Sequence, residues 1–244
     1  MFVQLNQAQL GKGPLVLVNR THPLRHAGAA QRTPALPGYP DIPLQETAAR
    51  MLVACVAAAG GTGEIVPVSG WRSRAEQQQI WDDTLQTEGE QFTRQYVAYP
   101  GCSEHETGLA IDLALQAENI DFICPEFPYD GVCGKFRALA ARYGFIERYR
   151  ADKAQTTGIA VEPWHFRYVG APHATLMAQQ NLCLEEYLDW LREAPRHCTM
   201  PNGHRATVRW LPTATQELQL PEAGWQLSGD NDSGFVLTQW EEDA

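Results

Sequence analysis

The sequence has little positive charge. Its 244 residues carry 19 Lys and Arg against 29 Asp and Glu, a formal net charge of -10. Proteins that grip phosphate backbones or anionic membranes need clustered cations, so nucleic acid and membrane are set aside as partners. Long apolar runs are also missing: none approaches the roughly 18 residues of a spanning helix. The first 25 residues, MFVQLNQAQLGKGPLVLVNRTHPLR, hold neither an early basic region nor an apolar stretch long enough for a signal peptide. Cysteine is sparse, and Cys55, Cys102, Cys124, Cys133, Cys183 and Cys198 form no CxxC pair. With 44% hydrophobic residues the chain buries a core without bridges, so the expectation is reduced thiols in a cytoplasmic protein. Cys124 and Cys133 flank a short Pro/Gly-rich loop and would pair only after export.

What is present is a mixture of helical and strand periods. Residues 15–19, LVLVN, read as a strand leading into a Pro/Gly-rich loop that carries His22 and His26 and is expected to border a ligand pocket. Between residues 41 and 61, Leu44, Ala48, Met51, Leu52, Cys55, Val56 and Ala59 recur at helical spacing, with Gly60 and Gly61 as the stop. Residues 64–70 predict a strand, and Ser73-x-x-Glu76 has the form of a capping box for a helix to about Thr87. From Leu109 to Leu115 the period changes to two, which places Asp112 between Ala110 and Ala114 on the face opposite the leucines. Phe136, Leu139, Ala140 and Tyr143 mark a helix closed by Gly144; a strand is expected over residues 165–169, and one long helix over 173–193. This order indicates an α+β fold. After the shift at Ala194-Pro195, ATVRWL, GWQL and GFVL read as short strands, the last two forming a hairpin, so residues 1–196 are expected to form one domain and 197–244 a small β appendage.

Two clusters carry chemistry. Ser103-x-His105-x-x-Gly108-x-Ala110-x-Asp112 lies on a loop entering a strand, and Glu162-Pro163-Trp164-His165 on a loop entering another. Imidazole nitrogens and a carboxylate suit zinc, and three protein ligands leave a fourth position open for catalysis. His105, Asp112 and His165 would make such a set, with Glu162 placed to accept a proton. A single histidine in a loop is more often a surface or satisfied core residue. Asp112 is harder to dismiss, because an acid in an apolar strand costs several kcal/mol unless paired. An arginine partner would satisfy it as well as a metal would. His197, Cys198 and His204 fit no finger spacing, and His173, after a proline, reads as a cap or packing residue.

The segments SGWRSRAEQ (69–77), SEHETGLAID (103–112) and EPWHFRYVG (162–170), in this order, resemble the zinc D-alanyl-D-alanine peptidases of the VanY and VanXY type. LVLVNRTHPL and YGFIERY (143–149) extend the likeness over about residues 13–190. The resemblance implies a compact α+β fold with a central, mainly antiparallel sheet flanked by helices. It implies one Zn2+ per chain on His105, Asp112 and His165, Glu162 as general base and Arg72 as stabiliser of the oxyanion. Ser103 would contact the substrate's terminal carboxylate and Gln77 would line the pocket. The implied substrate is the D-Ala-D-Ala dipeptide, a D-Ala-terminated cell-wall precursor, or both, with a link to glycopeptide (vancomycin) resistance. A wall-facing carboxypeptidase and a zinc-bearing binding module without turnover are the rivals, and the oligomeric state stays open. Trp71 stands where the family more often has tyrosine.

Overall fold

The structure, a computed structural model, describes residues 1–24, 35–201 and 203–241. In chain order its elements are β1 (Phe2–Gln4), β2 (Ala35–Leu36), β3 (Tyr39–Pro43), α1 (Glu46–Ala59), β4 (Ile65–Ser69), α2 (Arg74–Thr87), α3 (Glu90–Tyr96), β5 (Ala110–Leu115), α4 (Gly131–Ala140), β6 (Phe145–Tyr149), α5 (Ala154–Thr157), β7 (Glu162–Tyr168), α6 (Ala171–Gln180), α7 (Leu184–Glu193), β8 (Arg196–Thr199), β9 (Arg205–Pro212), β10 (Glu217–Gln219), β11 (Trp225–Gly229) and β12 (Gly234–Trp240). The α+β expectation holds. The central sheet has the order β4-β5-β7-β6 and is antiparallel throughout.

Alternation along β5 sorts its side chains as the sequence period requires. Ile111 and Leu113 enter a core with Leu52 and Ala59 of α1, Cys133 and Phe136 of α4, and Phe166 of β7. Asp112 turns to the other face. Register does the rest: Asp112 lies directly opposite His165 on β7 and Ser69 on β4, and Glu162 lies opposite Tyr149. Residues fifty positions apart in sequence thus become cross-strand neighbours, with Cβ atoms about 5 Å apart.

Three expectations change. Residues 15–19 form no ladder; they run as a mostly buried strap whose backbone is held mainly by side chains, with Leu17 N also donating to Asp230 O. Ser228 Oγ accepts from Leu15 N at 2.9 Å, Arg167 Nη2 donates to Pro14 O and Val16 O at 3.0 and 2.8 Å, and Asn231 Nδ2 donates to Leu17 O at 2.9 Å. The long helix over 173–193 is two. Asn181, at φ 53°, takes the left-handed turn that asparagine tolerates, and Glu186 then accepts from Cys183 N to open α7. The strand expected from residue 165 begins at Glu162, which brings the acid into the sheet.

The hairpin β11–β12 forms as expected, and β9 and β8 complete a second antiparallel sheet, β11-β12-β9-β8. Val208, Val236 and Cys198 of this sheet share one apolar cluster with Leu176 of α6, Leu188 of α7, and Leu15 and Leu17 of the strap. All six cysteines are free thiols. Among the described residues no helix is long and apolar enough to cross a membrane.

Candidate metal and catalytic centre

Asp112 and His165 project from the paired centre of the sheet; His105 comes from a 3-10 turn, Glu104–Thr107, laid across it. That turn is closed by Gly108 in the left-handed conformation and stapled by Thr107 Oγ1, which accepts from Leu109 N. His105, Asp112 and His165 each offer a ligand atom, and these atoms lie within 4.8 Å of one another. They are the one such buried group among the described residues. Asp112 Oδ2 is 3.1 Å from His105 Nε2, and Asp112 Oδ1 is 3.0 Å from His165 Nδ1.

The donor chemistry of this group fits a metal. His105 Nδ1 lies 2.7 Å from Gly70 O, which only accepts, so this nitrogen carries the proton. Burial, reinforced by Arg72, pushes the ring down to about 4, so it is neutral at pH 7 and Nε2 presents a lone pair. A lone pair facing a carboxylate oxygen at 3.1 Å is repulsive unless a cation lies between them. Burial raises the Asp112 pKa, but the neighbouring His105 and His165 outweigh it and hold the carboxyl well below the usual range. His165 moves the other way: burial lowers its pKa, and the bond to Asp112 with the nearby negative charge of Glu104 overcomes that and lifts it to about 9.

Glu162 Oε2 stands 3.7 Å from His165 Nδ1. Burial, helped by the negative Asp112 and opposed by His165, pushes its carboxyl up to about 8, within the range useful for proton transfer near neutrality. Arg72 lies just beyond β4. Its Nη2 is 3.2 Å from Asp112 Oδ2, Nε donates to Ser69 Oγ at 3.0 Å, and Nη1 donates to Gln77 Oε1 at 3.2 Å. Of the two partners weighed for Asp112 in the sequence, the arginine is in contact with it, and two histidines that could share a metal with it lie beside it.

All seven candidates line one cavity, walled also by Ile80, Phe122 and Trp164. Ser103 is buried and its hydroxyl bonds no described residue, which leaves it to a ligand. Gln77 is different. Its amide is spent within the protein, Oε1 on Arg72 and Nε2 on Ala98 O at 2.8 Å.

Residues outside the centre follow the quieter readings. His173 is buried between Tyr187 and Thr238, and His197 is exposed beside Thr207. His22 is capped by Asn19 and is absent from the cavity lining, whereas His26 lies outside the described residues. Sequence reasoning passed over Glu104, Arg148, Arg167 and Glu185, a buried ionic cluster behind His165. One signal was available: Arg167 follows His165 by two residues on the same strand, so both face one side.

The family described as VanY, D-alanyl-D-alanine carboxypeptidase, matches residues 41–171. VanXYC of Enterococcus gallinarum, a bifunctional D-Ala-D-Ala dipeptidase and D-Ala-D-Ala carboxypeptidase, is 42% identical over 187 residues, covering 75% of this chain and 97% of that protein. Among solved structures, the vancomycin resistance D,D-dipeptidase VanXYg, in complex with a D-Ala-D-Ala phosphinate analogue, matches with a TM-score of 0.94 and 40% identity over 99% of both chains. A VanY D,D-pentapeptidase variant in complex with Zn(II) matches with a TM-score of 0.59 and 32% identity over 72% of this chain and 98% of that one.

Proposed function

This chain belongs to the VanY family of D-alanyl-D-alanine carboxypeptidases, and from that premise we propose that it is a zinc metallopeptidase that hydrolyses the D-Ala-D-Ala bond. Its substrates are the free dipeptide, the D-Ala-D-Ala terminus of peptidoglycan precursors, or both. Removing that terminus would deprive vancomycin-type glycopeptides of their target. The observation that carries the reading is the buried meeting of His105, Asp112 and His165 beside Glu162 in one cavity.

His105 Nε2, an Asp112 oxygen and His165 Nδ1 would hold one Zn2+ per chain. When bound, the ion supplies Lewis acidity to the scissile carbonyl and lowers the pKa of water to about 7. Glu162 takes the proton of the attacking water on its carboxylate and returns it to the leaving amine nitrogen. Arg72, held in place by Ser69 and Gln77, meets the negative charge that develops on the carbonyl oxygen. Ser103 Oγ donates to the substrate's terminal carboxylate, and Gln77 serves the substrate through Arg72. The buried base argues against a binding module, which would need no proton acceptor.

We assign catalysis to residues 1–196 and treat 197–244 as a β appendage that stabilises them, a role supported by the apolar cluster the two share. The six free thiols favour a cytoplasmic enzyme over a wall-facing one.

The test is D-alanine release from the D-Ala-D-Ala dipeptide and from a pentapeptide precursor, with stoichiometric zinc. The expected result is release from at least one of them, with kcat falling about 10²- to 10⁴-fold in Glu162→Gln, the range for loss of a general base. Zinc binding without release from either substrate would favour the binder, and an undiminished Glu162→Gln would sink the mechanism.

A further inference from the structure

Behind the metal-ligand group, Glu104 sits with its side chain fully buried. One of its oxygens does all the visible work: Oε1 is 2.8 Å from Arg148 Nε and 2.8 Å from Arg167 Nη1. Charge in this cluster is balanced elsewhere too, because Arg148 makes a bidentate pair with Glu185 at 2.9 and 2.7 Å. Two buried arginines thus meet two carboxylates. Were Glu104 present for the arginines alone, both of its oxygens should be engaged, since an idle buried carboxylate oxygen is costly. Instead Oε2 has no hydrogen bond and faces His165 Nε2 at 3.5 Å, itself a buried nitrogen without a hydrogen bond.

The two ligand histidines present opposite nitrogens to the centre, and each has one nitrogen turned away. For His105 the outer nitrogen, Nδ1, meets the backbone carbonyl of Gly70. For His165 the outer nitrogen is Nε2. Nδ1 can offer a lone pair inward only when the proton is on Nε2, and Glu104 Oε2 is the acceptor that faces it.

We propose that Glu104 is a positioning residue for His165: by accepting from Nε2–H it fixes the tautomer and the ring orientation that present Nδ1 to the metal. The inference rests on the zinc-peptidase reading for the role of His165. Arg148 and Arg167 hold the carboxylate in turn, and Arg167 is itself anchored by the carbonyls of Pro14 and Val16 in the N-terminal strap. The support of one ligand therefore runs from β7 through Glu104 to a segment 150 residues earlier in the chain.

Two measurements decide it. In wild-type, zinc-loaded protein, 15N NMR of the histidine side chains should show His165 protonated at Nε2, with that proton slow to exchange. In Glu104→Gln, the amide oxygen is drawn to the arginines and an NH2 is left facing Nε2, which favours the wrong tautomer. Zinc affinity, measured by chelator competition, should weaken roughly 10- to 100-fold, as for loss of an outer-sphere carboxylate, while circular dichroism shows an intact fold. His165 protonated at Nδ1 in the wild type overturns the proposal, whether or not the variant folds. So does a folded Glu104→Gln with unchanged zinc affinity. A wild-type protein that binds no zinc overturns the zinc reading and this inference together; one that binds zinc without the Nε2 proton overturns only the inference.

Discussion

Asp112 is shared by three basic side chains: Arg72, His105 and His165 all lie within 3.2 Å of its oxygens. That crowding explains why its sequence context was informative yet incomplete. A carboxylate flanked by alanines in an apolar strand announces that it must be paired, but its local pattern is the same for an arginine or a metal. The choice lies in register with β7, a non-local fact. Gln77 shows the opposite limit. Its motif pointed to the pocket, and it does line it, but its amide is committed to Arg72 and Ala98. Gln77→Ala should therefore act on the step Arg72 serves. Loss of a hydrogen bond to a charged group, about 1.5–3 kcal/mol, would lower kcat at least 10-fold with KM little changed. Steady-state kinetics on D-Ala-D-Ala check this: a raised KM with unchanged kcat would instead mean that Gln77 touches the substrate.

At the scale of elements, local signals were read well wherever a cap or a period decides them. The Ser73–Glu76 capping box opens α2, with Glu76 Oε2 accepting from Ser73 N at 2.7 Å. The alternation of β5 likewise sorted core from site. Residues 15–19 misled because a buried apolar run looks the same whether its backbone pairs with a strand or with side chains. The split of α6 from α7 turned on one asparagine. A less visible demand falls on Gly70, where β4 leaves the sheet. A Cβ there would press into the carbonyl oxygen of Pro43, while Gly70's own carbonyl accepts from His105. Relieving the clash moves that acceptor, so Gly70→Ala should loosen His105 as well as the sheet. The expected outcome is a loss of about 1–3 kcal/mol, typical of overpacking, accompanied by weaker zinc binding. Denaturant unfolding and chelator competition read the two effects separately, and a stability loss with unchanged zinc affinity would place the damage elsewhere.

The whole molecule is joined between its helices and its C-terminal sheet by groups that sequence could not pair. His173 on α6 is the clearest: Nδ1 lies 2.9 Å from the Tyr187 hydroxyl of α7, and Nε2 lies 3.1 Å from Thr238 Oγ1 of β12. Both partners are hydroxyls, so a neutral imidazole can donate at one nitrogen and accept at the other. A charged ring must donate at both, in a setting where burial has pushed its pKa down from 6.5 to about 3. No carboxylate is among its hydrogen-bonding partners. Between these two values the unfolded chain binds the proton and the folded one does not, so stability rises with pH across that window. The contribution is complete above about pH 6.5 and is lost as pH falls toward 3; a shift of this size corresponds to roughly 5 kcal/mol. His173→Gln keeps a donor and an acceptor but has nothing to titrate. In zinc-free protein, where acid release of metal plays no part, unfolding free energy measured from pH 7 to pH 4 should therefore fall less steeply in His173→Gln than in the wild type. Equal slopes would mean that the joint between α6 and the C-terminal sheet opens to admit the proton without unfolding the rest.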